Sequence, residues 1–456
     1  MKMYRTTTYR QMSSALYHFN TLRDKWSDKR CVLELTGPKG SRKTTFALDF
    51  FAEKRFFYFT FKGLGELMAR RLLATRLSRQ GYAPATQAWE DVFSSLDQMA
   101  ARTKIIIFDD LDEIISDKAF AAALQAYIEN PKRRRIFLVL IHADSVSLAP
   151  LVTLSHTIVL PYCSIAETKK SHPNRAGQEI LQIYTLSGGI PEIINGFDEN
   201  GSIEDNLRRM LGEKSPFLTF AEDVLERQFR CPESYAMILH ALATGHTRVS
   251  EVGGFTGFAY NKCDKYIKAL IAAGIVSAAK FELENGAEKT CYIIKNLYLH
   301  IWYEFVYPNR DLIAQGSFTG YFIEHALPII TKDYLAWEYI RACFRAAHGR
   351  WNHFLSFAIK SNVDYKPYTV LDKDFSYTFD CFVKDKNYAV FVKIFMNENH
   401  AIGRAELDEL ERAVALCHPY MDSYVYLFSK RRFSDYAVHQ ASLGTIKLFP
   451  VERLRF

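Results

Sequence analysis

None of the eight cysteines forms a CxxC pair, and none of the 13 histidines falls into HxxxH or HExxH spacing. Cys31, Cys163, Cys231, Cys263, Cys291, Cys343, Cys381 and Cys417 are scattered through the chain, which reads as reduced thiols in a cytosolic protein rather than a disulfide framework. The isolated pair Cys417-His418 leaves no expectation of a zinc site. No apolar run reaches the roughly 18–20 residues that a membrane span needs. The opening MKMYRTTTYRQMSSALYHFN has no compact apolar stretch, so no secretory signal is expected. Internal repeats and low-complexity tracts are also missing, which argues against a solenoid or a disordered linker. Strong charge of one sign is lacking too: the net charge of +7 and pI near 8.8 permit nucleic-acid contact without demanding it.

What is present is an ordinary globular composition, 48% hydrophobic and 24% charged, over 456 residues. That length is too great for one core and implies about three domains. Residues 1–30 read as a helical lead-in. CVLELTG (31–37) reads as a short buried strand, followed by a helix from Thr44 through Glu53. RFFYFTF (55–61) is an unbroken aromatic run, which predicts a strand buried on both faces. Helices are expected at 64–80 and 85–101. TKIIIFDD (103–110), RRIFLVLIHAD (134–144) and HTIVLPY (156–162) complete a set of five strands alternating with helices. Such alternation predicts a parallel sheet covered on both sides. From 164 to 230 the pattern is helical, with a Gly-Gly-Ile-Pro break at 188–191.

The segment GPKGSRKTT has the spacing of a phosphate-binding Walker A loop, G-x-x-x-x-G-K-[ST], in the required setting between a strand and a helix. Gly37, Pro38, Lys39, Gly40, Ser41, Arg42, Lys43, Thr44 and Thr45 are therefore the candidate nucleotide-binding residues. Backbone N–H groups and a helix N-terminus would face phosphate oxygens. Lys43 would reach the β and γ phosphates, and the Thr44 hydroxyl would bind magnesium. Arg42 stands where glycine is usual; it would weaken binding or supply a phosphate contact of its own.

About 65 residues on, in Walker-motif terms, IIIFDDLDEI (105–114) has the form of a Walker B strand. Asp109 at its end is the second candidate magnesium ligand, and Asp110 the candidate group that polarises the attacking water. Asp112 and Glu113 offer further carboxylates. The competing reading is that these acids cap a following helix.

LTGPKGSRKTTFALDFF, IIIFDDLDEI and YTLSGGIPEI together resemble the prokaryotic and archaeal ATPases of the AAA+/STAND group, relatives of origin-recognition and NACHT-type signalling ATPases. The resemblance covers nearly the whole chain. Asp109 to Glu113 is similar to the NACHT form of Walker B. Gly189-Ile190-Pro191 resembles a GxP motif whose proline, Pro191 here, packs by the adenine. Asp144 or Ser145 falls at the family's polar sensor position. Arg42 and Asp110 depart from the family pattern and imply slow hydrolysis. Lys132-Arg133-Arg134-Arg135 reads either as a source of an arginine finger for a neighbouring subunit or as a solvated charged turn.

Residues 231–280 resemble the winged helix-turn-helix that follows the ATPase in this group. Its third helix, Asn261 to Leu270, carries Lys262, Lys265 and Lys268 as candidate DNA contacts. Asp264 lies among them, and the helix lacks the Arg/Asn/Gln density of base readout, so packing or a protein partner stands beside DNA. Residues 331–456 resemble a restriction-nuclease-like (PD-(D/E)XK) domain, on Glu338, Asp380 and Lys393. Phe391 occupies the E-x-K glutamate position and cannot ligate a metal, so an inactive nuclease is expected.

The resulting expectation is an α/β fold: a P-loop parallel-sheet ATPase core (1–165), a helical lid (166–230), a winged helix (231–300), a connector (301–330) and an α/β nuclease-like domain (331–456). The expected function is an ATP/ADP-binding, magnesium-dependent regulatory switch, cytoplasmic, with no membrane contact and with self-assembly into a homo-oligomer. The different-class reading is a scaffold whose P-loop and nuclease sites have both decayed.

Overall fold

The computed structural model describes residues 31–100, 103–130, 136–143, 148, 151–152, 154, 156–212, 215–226, 228–282, 288–334, 366–372, 375–384, 388–395, 401–417, 422–429 and 432–450. The expectations placed on 1–30, 132–135, Glu338, Asp144 and Ser145 lie outside them. The chain divides into two compact units. The first holds Met1–Pro173, Gly189–Asn195 and Ala272–Gly274, and the second holds Asn174–Gly188, Gly196–Ile271 and Ile275–Phe456.

The first unit is built on five parallel strands: β1 (Cys31–Thr36), β2 (Phe56–Thr60), β3 (Ile105–Asp109), β4 (Phe137–Ile141) and β5 (His156–Val159). Their spatial order is β2-β3-β4-β1-β5. Helices α1 (Lys43–Phe50), α2 (Glu66–Arg79), α3 (Trp89–Met99) and α4 (Lys118–Glu129) follow the first three strands. The parallel, helix-covered sheet predicted from the alternating pattern is thus the observed α/β architecture.

Strand β3 shows why the sequence forms it. Its residues are buried throughout, with Ile106 and Phe108 packed into one core cluster and Ile105 and Ile107 into the other. A central parallel strand needs apolar side chains on both faces. Each large side chain so buried contributes about 1.5–3 kcal/mol. The register Ile106↔Leu138 and Ile107↔Val139 is therefore strongly held, and it delivers Asp109 to the same sheet edge as the end of β1.

Strand β2 corrects one expectation. It lies at the sheet edge and alternates, with Phe57 and Phe59 buried and Phe56, Tyr58 and Thr60 only half-buried. Phe57 and Phe59 fill the cluster under α2 and α3, while Phe56 and Tyr58 pack half-buried against the second cluster, so the strand meets core on both faces but is covered less on one.

Two further helices belong to this unit, α5 (Ile165–Ser171) and the four-residue α7 (Pro191–Ile194). Between them α6 (Gly177–Ser187) belongs to the second unit. The second unit continues with α8 (Ile203–Met210), α9 (Pro216–Glu226), α10 (Pro232–Ala243), α11 (Val249–Thr256) and α12 (Tyr260–Ala272), of which only Ala272 falls to the first unit. An antiparallel hairpin follows, β6 (Val276–Glu282) with β7 (Glu288–Ile294), in register Val276↔Ile294. Helix α12 buries Cys263, Ile267 and Leu270, one face at helical spacing, and leaves Lys262, Lys265 and Lys268 outside.

A helical run occupies 297–334. The last sheet has the order β12-β11-β10-β9-β8, from β8 (Lys366–Asp372), β9 (Phe375–Lys384), β10 (Tyr388–Phe395), β11 (Asp422–Ser429) and β12 (Ile446–Pro450). β10, β11 and β12 are parallel, while β8, β9 and β10 pair antiparallel. Helices α13 (Arg404–Cys417) and α14 (Asp435–Ser442) supply the crossovers. Among the described residues no helix is long and apolar enough to cross a membrane.

Candidate functional site

The loop 37–42 leaves β1 at a point that only glycine can occupy. Gly37 has φ 146°, and a Cβ there would lie 2.1 Å from the Leu160 carbonyl oxygen. The loop turns on itself through the Ser41 N–H donating to the Pro38 carbonyl (3.2 Å), and α1 then begins at Lys43. Arg42 is the N-cap, with its backbone in the left-handed region (φ 61°, ψ 33°). For a non-glycine residue that conformation costs about 1–2 kcal/mol. The usual glycine therefore has a second reason to precede the lysine besides clearance for phosphate.

Lys43 folds back on the loop, its Nζ donating to the carbonyls of Gly37 (2.7 Å) and Pro38 (3.0 Å). Ser41 is fully buried, and its hydroxyl oxygen has no hydrogen-bond partner. Pro38, Lys39, Gly40 and Thr44 are half-buried, and Thr45 is exposed. The Lys39 carbonyl accepts from the Tyr162 hydroxyl at 2.8 Å.

Thr44 and Asp109 meet. The Thr44 hydroxyl donates to Asp109 Oδ2 at 2.6 Å, and the Tyr58 hydroxyl donates to the same oxygen at 3.0 Å. The Asp110 N–H donates to Asp109 Oδ1 at 2.8 Å. Burial raises the Asp109 pKa above the ordinary carboxylate value; the Thr44 hydrogen bond opposes this and the neighbouring Asp110 charge adds to it. Tyr58 is likewise pushed up, first by burial and then by the charge of Asp109. Asp110 is itself left-handed (φ 55°), and its Oδ2 accepts from the Thr60 hydroxyl at 2.6 Å. Tyr58 and Thr60, two residues apart on β2, thus grip one carboxylate each. The sequence reading missed both. Their signal was hydroxyls at i and i+2 within an otherwise phenyl run.

Asp112 and Glu113 are exposed in a short 3-10 turn, Leu111–Glu113. Asp112 accepts from the Ala143 N–H at 3.2 Å. Asp110 is the N-cap residue of that turn, but its side chain makes no capping hydrogen bond; the side-chain cap is at α4, where Asp117 accepts from the Phe120 N–H. At the end of β4, His142 is buried between the Ala143 carbonyl (Nδ1, 2.7 Å) and Glu34 (Nε2 to Oε1, 2.9 Å). Since a carbonyl only accepts, Nδ1 carries a proton. Glu34 Oε2 accepts from the Thr157 hydroxyl at 2.6 Å, so side chains cross-link β4, β1 and β5 three residues before Gly37 in β1.

The Gly-Gly-Ile-Pro segment also comes to the loop. Gly188 and Gly189 both have positive φ, 57° and 77°. The Gly189 carbonyl accepts from the Cys163 N–H at 2.8 Å, and Pro191 is buried at the start of α7. Asn195 caps the end of α7 and turns its side chain to Arg42. Its amide oxygen, oriented to face these donors, accepts from both guanidinium Nη atoms, at 2.8 Å from Nη1. Burial pushes the nearby Cys163 thiol up to about 12, Glu167 adds to this, and Arg42 opposes both.

The donor set fits a magnesium nucleotide. Thr44 and Asp109 offer hard oxygen ligands side by side, the buried Ser41 hydroxyl is unsatisfied, and Lys43 is a cation resting on weak neutral acceptors. Of the candidate DNA contacts, Lys268 is paired with Asp264 (2.7 Å), Lys262 lies 3.6 Å from the centre of the Phe258 ring, and Lys265 is exposed. Phe391 is fully buried against Phe379, with ring centres 4.7 Å apart. Lys393 lies over Tyr377 at 5.0 Å. The Asp380 side chain is outside the described residues.

The fold and loop define an α/β architecture of the P-loop type. No protein-family model matches the chain. Over 251 residues (51% of it) the chain is 24% identical to an uncharacterised protein of Methanocaldococcus jannaschii, and it spans about half of that curated relative, 55%. Among solved structures it is similar to a Walker-type ATPase of Pyrococcus abyssi, with a TM-score of 0.46, 15% identity, and 61% of this chain and 93% of that one covered. It is also similar to the Orc1 protein of Aeropyrum pernix in complex with DNA, with a TM-score of 0.34, 12% identity, and 70% and 93% covered.

Proposed function

We propose that the chain binds ATP and ADP with magnesium through the loop Gly37–Thr44 and works as a regulatory switch with slow hydrolysis. The observation that carries the reading is the meeting of Thr44 and Asp109 at 2.6 Å, one from the first turn of α1 and the other from the end of β3. A loop residue after the lysine and an acid at the end of an apolar strand have no structural need to touch. They are the two groups that would hold magnesium, which would neutralise phosphate charge when bound. Lys43 would take the β and γ phosphates, and Pro191 would sit on the adenine side.

Slow hydrolysis follows from Asp110. It is a methylene shorter than glutamate, and Thr60 already engages it. In this reading 166–230 acts as a lid, 231–300 as a winged helix offering Lys265 and its neighbours to DNA or a protein partner, and 331–456 as a nuclease-like module without activity. Cytoplasmic location and assembly into homo-oligomers complete the proposal. The test is calorimetry of ATP and ADP with magnesium on the full chain and on Lys43→Ala. Micromolar binding that the variant loses supports the reading. No binding of either nucleotide overturns it.

A second reading, a scaffold with a decayed loop, draws on the strained Arg42 and on Phe391, whose position the core has absorbed. Absence of nucleotide affinity together with an intact fold would favour it.

A further inference from the structure

We propose that Arg42 is a positioning residue that latches the phosphate loop to the segment Gly189–Asn195 through Asn195, and that nucleotide phosphate competes with Asn195 for its guanidinium. The second half of this proposal rests on the nucleotide-binding reading above; the first half does not.

The latch stands on four observations within the first unit. Arg42 holds a left-handed backbone that disfavours any residue with a Cβ, at a position where glycine would be free of strain. Its side chain converges with both Nη atoms on the Asn195 amide oxygen. Asn195 is the C-cap of α7, its own N–H bonded back to the Pro191 carbonyl (3.0 Å), so a pull on its side chain is a pull on the whole short helix. The other end of the segment is held by the Gly189 carbonyl on the Cys163 N–H. The segment is therefore fastened at two points, one of which is a phosphate-loop residue.

The chain enters the segment through Gly188 and Gly189, two consecutive residues with positive φ, and leaves it at Gly196. These are also the places where the chain passes from one compact unit to the other. Freeing the Asn195 end leaves α7 held by the Gly189–Cys163 hydrogen bond and by the buried Ile190, Ile193 and Ile194, without its tie to the phosphate loop.

Competition follows from the chemistry of the acceptor. An amide oxygen is neutral, whereas a phosphate is charged and matches the guanidinium fork with two oxygens. Arg42 precedes the lysine that the loop presents to phosphate, and that lysine is also parked on neutral carbonyls. Arg42 and Lys43 thus each make contacts to neutral acceptors that an anionic ligand outcompetes. ATP, with one more phosphate than ADP, competes better.

Two measurements on the full chain test this. In the first, without nucleotide, Arg42→Ala, Asn195→Ala and the double variant are compared by thermal melting. The latch predicts that the two effects overlap, the double variant melting no lower than the worse single one. Fully additive shifts overturn the latch, and do so whether or not nucleotide binds. In the second, ATP and ADP affinities with magnesium are measured for Asn195→Ala and Asn195→Asp. Removing the competitor raises ATP affinity about 3- to 10-fold, as expected for one net hydrogen bond, and raises ADP affinity less. Asn195→Asp makes the competitor a carboxylate and lowers ATP affinity. Unchanged or weakened ATP binding in Asn195→Ala, with the wild type binding normally, overturns the competition. Failure of the wild type and of Lys43→Ala alike to bind nucleotide strikes the functional reading and the competition, leaving the latch to the melting experiment.

Discussion

Asp109 Oδ2 receives two hydroxyls at once, Thr44 from the phosphate loop at 2.6 Å and Tyr58 from the edge strand at 3.0 Å. The carboxyl they serve is only 2% exposed, and burial holds its pKa above the unperturbed 3.8. The sign of the pH dependence follows. A carboxyl whose folded pKa is raised contributes stability below the unfolded value and loses that contribution as pH rises through the folded one. Asp109→Asn removes the charge. In the absence of magnesium, its melting temperature should gain on the wild type as pH climbs from about 4 toward neutrality. Melting curves across that range check this, and a gap that stays flat contradicts it. Magnesium with ATP should reverse the order, because only the carboxylate holds the metal.

Gly37 and Gly63 make a controlled pair. Both have positive φ, but a Cβ at Gly37 meets backbone oxygen at 2.1 Å, whereas nothing lies within 4 Å of one at Gly63. Gly63→Ala should cost only the left-handed penalty, about 1–2 kcal/mol. Gly37→Ala has to displace the chain at Leu160 and should cost more than about 3 kcal/mol. Chemical denaturation of both variants distinguishes them, and equal losses would mean the close approach is not rigid.

How much of this was legible beforehand differs by element. Strands β1 and β3 could be read because a parallel strand buried on both faces is a mostly apolar run with a sharp end, at Gly37 and at Asp109, interrupted in β1 by Glu34. The motif spacing then singled out Thr44 and Asp109, which meet at 2.6 Å. Strand β2 could not be read correctly, since phenylalanine serves both a buried face and a half-buried one, and this hid the role of Tyr58 and Thr60. Asn195 was invisible for a different reason. Its partner lies 153 positions away in a loop, and no periodicity connects an exposed C-cap amide to an arginine. Glu34 was read as part of a buried strand, but nothing in CVLELTG says that His142 waits across the sheet.

That buried pair invites a double-mutant cycle. Glu34 and His142 are 7% and 1% exposed; removing His142 leaves Glu34 with the Thr157 hydroxyl, and removing Glu34 leaves His142 with the Ala143 carbonyl, each short of one buried partner. Glu34→Ala and His142→Ala should each destabilise by about 3 kcal/mol. The double variant should cost clearly less than the sum, because the contact between the two side chains is lost only once. Additive losses in denaturant melts would show that the 2.9 Å contact carries no coupling.

The three lysines of α12 should not act alike. All three are exposed, but Lys268 is engaged with Asp264 and Lys262 lies over Phe258. If DNA is the partner, Lys265→Ala should weaken binding uniformly across sequences and lower the salt slope by about 1. Lys268→Ala should do less, since its charge is already partly answered. Fluorescence titrations of duplex DNA at several salt concentrations would show this. Equal effects from both variants would remove the distinction drawn from the ion pair, and no binding at any salt would favour a protein partner.

If 331–456 is the nuclease-like module proposed above, restoring its missing acid should fail, and the reason is packing. Phe391→Glu would respell E-x-K with Lys393, but Phe391 is fully buried, rings with Phe379 and shares one cluster with Val370, Leu407 and Leu427. Replacing it removes a large ring, worth about 3–5 kcal/mol when truncated. It also strands a carboxylate in an apolar core, where its charge is costly unless paired. The expected product is a chain whose C-terminal sheet unfolds early while the first unit keeps its nucleotide-site behaviour. Two-transition melts and a magnesium-dependent plasmid-nicking assay check both halves. Nicking activity from a well-folded Phe391→Glu chain would mean that the strand tolerates an acid there and that the module is dormant rather than lost.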